Sequence, residues 1–266
     1  MKHARWTSLL LLVVGIKSAA AQSYRTGNDD PRWGLTGFGA AVAVGEREVL
    51  IAEPLNVRKS GVIYVYRRDR AGSWTEAQRL TASDASLGDR FGRAMAVDGA
   101  TLIVGATSRD SSLGGAYVFQ RDASGRWAET QRLAASDGVR PDALGRMAAL
   151  AGDLAAVAAW GHGKSAGAVY LFRRDARSGR WTEQAKLVAS DAKDNDFFGS
   201  SIAIGGDRIL VGAAQRNQRA GGAYLFQLDA ASGSWKETAK LEPQTAQPNS
   251  QFGATVALRG DEALVA

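Results

Sequence analysis

The chain has 266 residues, 45% of them hydrophobic and 23% charged, so it can form a sizeable core and has the composition of a globular protein. It has no cysteine, which excludes disulfide scaffolds, thiol catalysis and cysteine-ligated metal sites. The net charge is +6, but the basic residues form no dense stripe of the kind that binds nucleic acid.

The first 21 residues have the features of a secretory signal peptide. Lys2 and Arg5 precede a short apolar run, and Ala19-Ala20-Ala21 offers a small-residue cleavage site. Cleavage would remove three basic residues and no acidic one, which leaves 30 basic and 27 acidic residues and a charge of +3. The run is too short to span a membrane, and no other segment approaches the required length. We therefore expect a secreted or extracytoplasmic protein, in a periplasm or at a cell surface, with a linker at residues 22–37.

One dipeptide recurs along the rest of the chain at a nearly constant interval. Glycine preceded by phenylalanine, or once by leucine, occurs at steps of 53, 53, 54 and 54 residues, at Phe38-Gly39, Phe91-Gly92, Leu144-Gly145, Phe198-Gly199 and Phe252-Gly253. Two other aromatic residues keep the same interval, at Trp74, Trp127, Trp181 and Trp235 and at Tyr64, Tyr117, Tyr170 and Tyr224. Three markers in phase over four periods indicate one supersecondary unit that is copied and stacked.

Each unit is predicted to contain four short antiparallel strands, which we call A to D in chain order. Between residues 91 and 137 they are FGRAMAVDG, TLIVGAT, GGAYVFQRD and WAETQRLAASD. Asp98-Gly99 is a strong hairpin signal, because both turn positions need positive φ. Glycines mark the turns and no segment has a helical pattern. A four-stranded sheet repeated radially is a β-propeller blade, so the fold class is all-β.

The motifs of this unit resemble the FG-GAP repeat. Phe-Gly opens strand A and is followed about a dozen residues later by IVGAT, LVGAA or LIAEPLN. The same repeat occurs in integrin α-chains and in many bacterial secreted proteins, and the phrase W-x-E…KL-x-ASD-x4-D-x-FG is most similar to the bacterial branch. The resemblance covers residues 38–266 and implies a seven-bladed propeller. It also implies a role in cell adhesion or protein binding.

The number of units is smaller than such a ring needs. Units begin near residues 38, 91, 144, 198 and 252, and the last is incomplete, so about 4.3 blades are present. An open ring would expose sheet edges. We therefore expect the chain to be part of a longer protein of about seven blades; the alternatives are self-association of several chains and a partly disordered end.

Two sets of positions are predicted to build the core. The phenylalanine and tryptophan of each unit are expected to fill the space between adjacent sheets. Gly105 and Gly212, in strand B, are expected to allow a close approach of the backbone near the axis. The third copy departs from the pattern, with Leu144 in place of phenylalanine.

One face of the predicted propeller carries variable loops. The A–B and C–D turns are tight and uniform, whereas the B–C loops vary and share their face with the D–A links between blades. This face is predicted to carry six cations and, at the break in the third copy, one histidine. They are Arg58, Lys59, Arg109, His162, Lys164, Arg216 and Arg219. Two interpretations are open: a surface that binds an anionic polymer or a partner protein, or ordinary solvated loops.

The acidic residues of the links permit a weak calcium hypothesis. In integrin α-chains the A–B loops carry several converging acids, but here each has a single acid in a tight turn, which cannot supply six to eight oxygens. A weak calcium site remains at Asp191, Asp194 and Asp196, in the link SDAKDNDFFG. The alternative, which we favour, is that these aspartates accept hydrogen bonds in turns. We expect calcium to matter little and no other cofactor to be bound.

These observations favour a secreted or cell-surface binding and adhesion module without enzymatic activity. Its partner would be an extracellular protein or polysaccharide rather than nucleic acid, and no membrane span is expected. The alternatives are a lectin-like propeller, for which Trp160 would be the residue to test, and the propeller domain of a larger secreted hydrolase.

Overall fold

Five antiparallel sheets follow one another along the chain. They are seen in a computed structural model that describes residues 37–45, 47–55, 59–245 and 247–266. The predicted signal peptide, and the predicted linker except Gly37, lie outside these residues. Within each complete sheet the strands are hydrogen-bonded in sequence order. The prediction of an all-β fold built from four-stranded antiparallel blades is confirmed.

The blades have nearly equal strands. Blade 1 contains β1 (Ala41–Val44), β2 (Glu48–Glu53), β3 (Val62–Arg68) and β4 (Trp74–Leu80). Blade 2 contains β5 (Phe91–Asp98), β6 (Thr101–Ala106), β7 (Ala116–Arg121) and β8 (Trp127–Leu133). Blade 3 contains β9 (Leu144–Ala151), β10 (Leu154–Ala159), β11 (Ala168–Arg174) and β12 (Trp181–Leu187). Blade 4 contains β13 (Ser201–Gly205), β14 (Arg208–Gly212), β15 (Ala223–Leu228) and β16 (Trp235–Leu241), and β17 (Val256–Arg259) pairs with β18 (Glu262–Val265) in blade 5.

The core lies between neighbouring blades. One cluster joins side chains of blades 1 and 2 and includes Phe91 and Trp127, which are almost fully buried. A second joins blades 2 and 3 around Leu144 and Trp181. In blade 1 the equivalent Phe38 and Trp74 are 54% and 49% exposed. They lie on the side of blade 1 that faces away from blade 2, and no other described blade packs against that side. The prediction that these aromatic residues fill the space between sheets therefore holds for the blades with a neighbour on that side.

Strands A stand next to one another at the inner edge of the stack, and glycines permit their close approach. The glycine that follows the phenylalanine, or Leu144 in blade 3, has a positive φ in every blade, +98° at Gly145. A Cβ atom at Gly145 would lie 2.5 Å from the carbonyl oxygen of Gly115 in the preceding blade. A Cβ atom at Gly105 would collide with the carbonyl oxygen of Gly145. The predicted close approach at Gly105 is thus a contact between two blades.

The B–C loops of blades 2 to 4 each contain one short turn that the sequence did not predict, at α1 (Arg109–Ser112), α2 (His162–Ser165) and α3 (Arg216–Arg219). Their middle residues have a left-handed backbone; in α1, Asp110 has φ 50° and ψ 49°, and Ser111 has φ 57° and ψ 48°. A left-handed backbone costs a residue other than glycine about 1 kcal/mol. Among the described residues, none of the helices has the length and apolar character of a membrane span.

Candidate functional site

The B–C loop of one blade and the D–A link into the next blade form a single hydrogen-bonded surface. After α1, the amide of Ala143 donates to the carbonyl of Ser112 at 2.8 Å. After α2 and α3, the same bond joins Phe197 to Ser165 at 3.0 Å and Gln251 to Arg219 at 2.7 Å. Because adjacent strands are antiparallel, these loops and links lie at one end of the sheets and the A–B and C–D turns lie at the other. We call the first end the loop–link face.

In blades 2 to 4 a tyrosine of strand C is hydrogen-bonded to the link that precedes the blade. In blade 2 the hydroxyl of Tyr117 donates to Asp84 at 2.6 Å, and Arg109 forms an ion pair with the same carboxylate. Arg109 also pairs with Asp110, which accepts a bond from Arg132 of strand D at 3.1 Å. Burial alone would raise the pKa of Asp84, but the bonds from Tyr117 and Arg109 outweigh it and lower the pKa. Arg109, predicted as a cation of a binding surface, is thus engaged within the fold.

Blade 4 repeats this arrangement with a more buried cation. Arg216, whose side chain is 6% exposed, donates to Asp191 at 2.7 Å and to Glu242 at 2.6 Å. Tyr224 donates to Asp191 at 2.6 Å, and Lys240 pairs with the same carboxylate. Burial would raise the pKa of Asp191, yet the hydrogen bonds from Lys240 and Tyr224, with the charge of Arg216, hold it far below its usual range. The structure therefore places Arg216 in the interior of the cluster rather than on an open surface.

In blade 3 a histidine stands where the neighbouring blades have arginine. His162 Nδ1 lies 3.0 Å from Asp142 Oδ2, and the Asp142 side chain is 2% exposed. His162 Nε2 lies 3.4 Å from Lys186 Nζ. Lys186 donates to Asp137 at 2.5 Å, and Tyr170 donates to Asp137 at 2.7 Å; these bonds lower the pKa of Asp137. The five side chains are satisfied by one another, so the break in the repeat is still a closed polar network.

The three aspartates predicted as a weak calcium site have separate roles. The Asp191 carboxylate is occupied by Tyr224 and two cations, as described above. Asp194 is exposed and pairs with Lys164 at 3.7 Å. Asp196 is buried and accepts a bond from the amide of Lys193 at 3.0 Å, and burial raises its pKa. In the described ranges no three histidine or acidic side chains are grouped so that they could hold a metal ion.

The motifs S-D and W-x-E, quoted above as part of the repeat, are joined across blades. The amide and hydroxyl of Ser136 both donate to Glu183, at 2.8 Å each. Ser83 makes the same two bonds to Glu129, and Ser190 makes them to Glu237. Sequence reasoning missed this pairing; the recurrence of serine and glutamate in every complete copy was the available signal.

The remaining predicted binding residues are on or near the loop–link face. Lys164 and Arg219 are exposed in the left-handed turns α2 and α3. Lys59 is exposed at the end of the loop in blade 1. Arg58 lies outside the described residues. The structure thus does not gather the predicted cations into one patch, because Arg109 and Arg216 are engaged in ion pairs.

Comparison with known families agrees with this architecture. The family model described as "FG-GAP repeat" matches residues 74–119, 127–172 and 181–226, together just over half of the chain. The chain belongs to the FG-GAP repeat family. Each matched FG-GAP stretch begins at the tryptophan of strand D and ends in strand C of the next blade, so each contains one of the bonds from a strand C tyrosine to the aspartate of the preceding link.

Two solved structures illustrate what this FG-GAP chain is similar to. A crystal structure of a protein from Lactobacillus plantarum is 14% identical, with a TM-score of 0.49, over 88% of this chain and 61% of that one. A functionally unknown protein from Desulfotomaculum acetoxidans DSM 771 is 12% identical, with a TM-score of 0.46, over 78% of this chain and 58% of that one. Among curated proteins no match was found. The chain spans about three fifths of the length of the two structural neighbours.

Proposed function

We propose that this FG-GAP repeat protein is a non-catalytic binding module that recognises an extracytoplasmic protein or polysaccharide through the loop–link face. One observation carries the proposal: three B–C loops share a backbone shape and carry different side chains at the same positions. The third residues of the three turns, all left-handed, are Ser111, Lys164 and Gln218.

The shared shape supports recognition because it is held by the scaffold rather than by the side chains it displays. The amides of the following link bond to each turn, and Ser111, Lys164 and Gln218 are exposed. Variable side chains on a fixed loop are the usual form of a binding surface. Backbone strain that persists at exposed positions is also typical of functional segments.

The absence of catalysis is part of the proposal and rests on how the polar side chains are used. His162 is the one histidine outside the predicted signal peptide. Its two ring nitrogens face Asp142 and Lys186, the Tyr170 hydroxyl lies 3.4 Å from Nδ1, and among the described residues no serine or threonine hydroxyl is bonded to either nitrogen. The extracytoplasmic location rests on the predicted signal peptide.

The test removes the displayed side chains without changing the backbone. Ser111, Lys164 and Gln218 are replaced together by glycine, which accepts a left-handed backbone without strain. The matched control replaces Arg126 and Arg177, exposed in the C–D turns of the opposite face, by alanine. Binding of the labelled chain to purified envelope protein and polysaccharide fractions is then measured. Loss of binding in the triple variant alone supports the proposal, whereas equal binding by all three proteins overturns it.

A further inference from the structure

The loop–link unit between blades 4 and 5 differs from the two before it because the polar side chains of its turn are not paired with one another or with the blade. It displays five amides and one guanidinium, at Asn217, Gln218, Arg219, Gln247, Asn249 and Gln251, which we call the amide patch. Within the ranges that the structure describes, none of these six side chains makes a hydrogen bond or an ion pair. In the turns of the preceding units the charged side chains at the same places are neutralised internally, Asp110 by Arg109 and Arg132, and Lys164 by Asp194. In the link, Lys193 stands at the place of Gln247 and has no ion pair within the described residues.

The backbone beneath the amide patch is fixed. The amide of Asn249 donates to the carbonyl of Gln218 at 3.3 Å, and that of Gln251 donates to the carbonyl of Arg219 at 2.7 Å. Arg216, directly before these residues, is anchored by Asp191 and Glu242. A ligand would therefore order side chains but not the chain itself, which lowers the entropic cost of binding.

The residue types in the amide patch are not those that the backbone prefers. Gln218, Arg219 and Gln251 have φ values of 56°, 68° and 56°. Glycine would be relaxed at each position, whereas the observed residues cost about 1 kcal/mol each. The backbone conformation of the turn therefore does not account for the presence of these side chains.

The chemistry of the amide patch defines the class of ligand. A side-chain amide both donates and accepts, as a sugar hydroxyl does. The guanidinium of Arg219 can hold a carboxylate through two parallel bonds. Its six members include neither an apolar side chain, which a hydrophobic peptide would need, nor a carboxylate, which would repel an anion.

We propose that the amide patch binds an acidic polysaccharide, with Arg219 on a uronate carboxylate and the amides on the hydroxyls. This inference rests on the proposed function of the loop–link face and names its ligand. A linear polymer suits an exposed patch, because successive sugars present the same groups again along the surface.

The experiment measures binding of a uronic-acid hexasaccharide by calorimetry at low salt. The full chain is compared with R219Q, which removes the charge, and with N217A/Q218G, which removes two amides. Arg177→Gln, in the C–D turn of blade 3, is the matched control on the opposite face. The methyl-esterified hexasaccharide and a hexa-aspartate peptide are the competing ligands. Melting temperatures verify that each variant is folded.

We expect R219Q to weaken binding of the hexasaccharide at least tenfold, N217A/Q218G to weaken it severalfold and R177Q to leave it unchanged. The unchanged chain should bind the methyl-esterified hexasaccharide as weakly as R219Q binds the acidic hexasaccharide. No binding of the acid, equal losses in R219Q and R177Q, or tighter binding of hexa-aspartate would overturn the inference. The replacement of Ser111, Lys164 and Gln218 by glycine separates this inference from the proposed function. If that variant loses binding to the envelope fractions although the hexasaccharide test fails, the loop–link face binds another ligand and only the polysaccharide assignment is wrong.

Discussion

The side-chain amide of Gln131 is bonded twice to the backbone of Trp181 in the next blade. Its Nε2 donates to the carbonyl of Trp181 at 2.6 Å, and its Oε1 accepts from the amide of Trp181 at 2.8 Å. Gln78 makes the same pair of bonds to Trp127. The next residue in this register is Ala185, so the outer contact between blades 3 and 4 lacks both bonds. Trp235, the partner that Ala185 cannot reach, is also less buried than the other two tryptophans.

Replacing Ala185 by glutamine should restore the missing contact. Two hydrogen bonds, less the cost of ordering one side chain, should raise the free energy of unfolding by about 1 kcal/mol. For a chain of this size the melting temperature should rise by about 2–4 °C. The matched control is Ala239→Gln, in the same register of blade 4, which faces no strand D among the described residues. A rise in both variants would show that glutamine acts through strand propensity rather than through Trp235.

Much of the fold followed from the sequence because identical units must bury identical faces. The interval of the Phe-Gly pair predicted the blades, and the burial of Trp127 and Trp181 followed from their place in the unit. The ion pairs of the cations could not be predicted in this way. Arg109 and Arg216 were predicted to line a binding surface, yet each pairs with an aspartate 25 residues earlier.

The reason is that a cation and an acid become partners only when a loop and a link of the same blade meet in space. Charge alone does not reveal which acids come within reach. The signal in the sequence is the same interval of 25 residues between the aspartate and the arginine in two copies of the unit.

Replacing Asp191 by asparagine should destabilise the chain. The change leaves Arg216, with a side chain 6% exposed, with one of its two counter-charges, Glu242, and breaking a buried pair costs about 3–5 kcal/mol. Because the Asp191 side chain is 35% exposed, we expect a loss of about 2 kcal/mol. Asp194→Asn, three residues later on an exposed pair, should change the free energy of unfolding by less than about 0.5 kcal/mol. Denaturant unfolding of both variants measures these changes. Equal losses of unfolding free energy would contradict the assignment of Asp191 to the buried cluster and of Asp194 to an exposed pair.

Calcium should leave the melting temperature unchanged. The Asp191 oxygens are already occupied by Tyr224 and two cations, and Asp194 and Asp196 have other partners. A saturating ligand at 100 times its dissociation constant would stabilise the fold by about 2.7 kcal/mol. A rise of several degrees in millimolar calcium relative to chelator would therefore be easily seen, and would contradict this prediction.

Ser111→Gly should stabilise the chain, although glycine usually weakens a protein. Ser111 has φ 57°, so relief of the left-handed strain outweighs the greater freedom of glycine in the unfolded chain, by up to about 1 kcal/mol. Ala231→Gly is the control, because Ala231 is exposed in a C–D turn without a positive φ. It should lose about 0.5–1 kcal/mol. If thermal unfolding showed that the melting temperatures of both variants change in the same direction, α1 would store no strain.

Acid should weaken the contact between links and blades before it affects the apolar core. The pKa values of Asp84, Asp137 and Asp191 are lowered in the fold, so the unfolded chain binds more protons than the folded chain once the pH falls below about 5. The stability that these groups contribute is complete at neutral pH and is lost as the pH falls through their folded pKa values. Asp196 acts in the opposite direction, because burial raises its pKa and protonation favours the fold.

The pKa values of Glu76, of Glu242 and of the C–D turn aspartates Asp122, Asp175 and Asp229 are also lowered, so these carboxylates act in the same direction. The free energy of unfolding should therefore fall steadily from pH 5 towards pH 2. Denaturant titrations at each pH measure this slope directly. Asp137→Asn combined with Asp191→Asn should lower the stability at pH 7 and flatten the slope, because two of the groups that take up protons on unfolding are gone. An unchanged slope in the double variant would mean that other carboxylates, such as those of the C–D turns, govern the acid response.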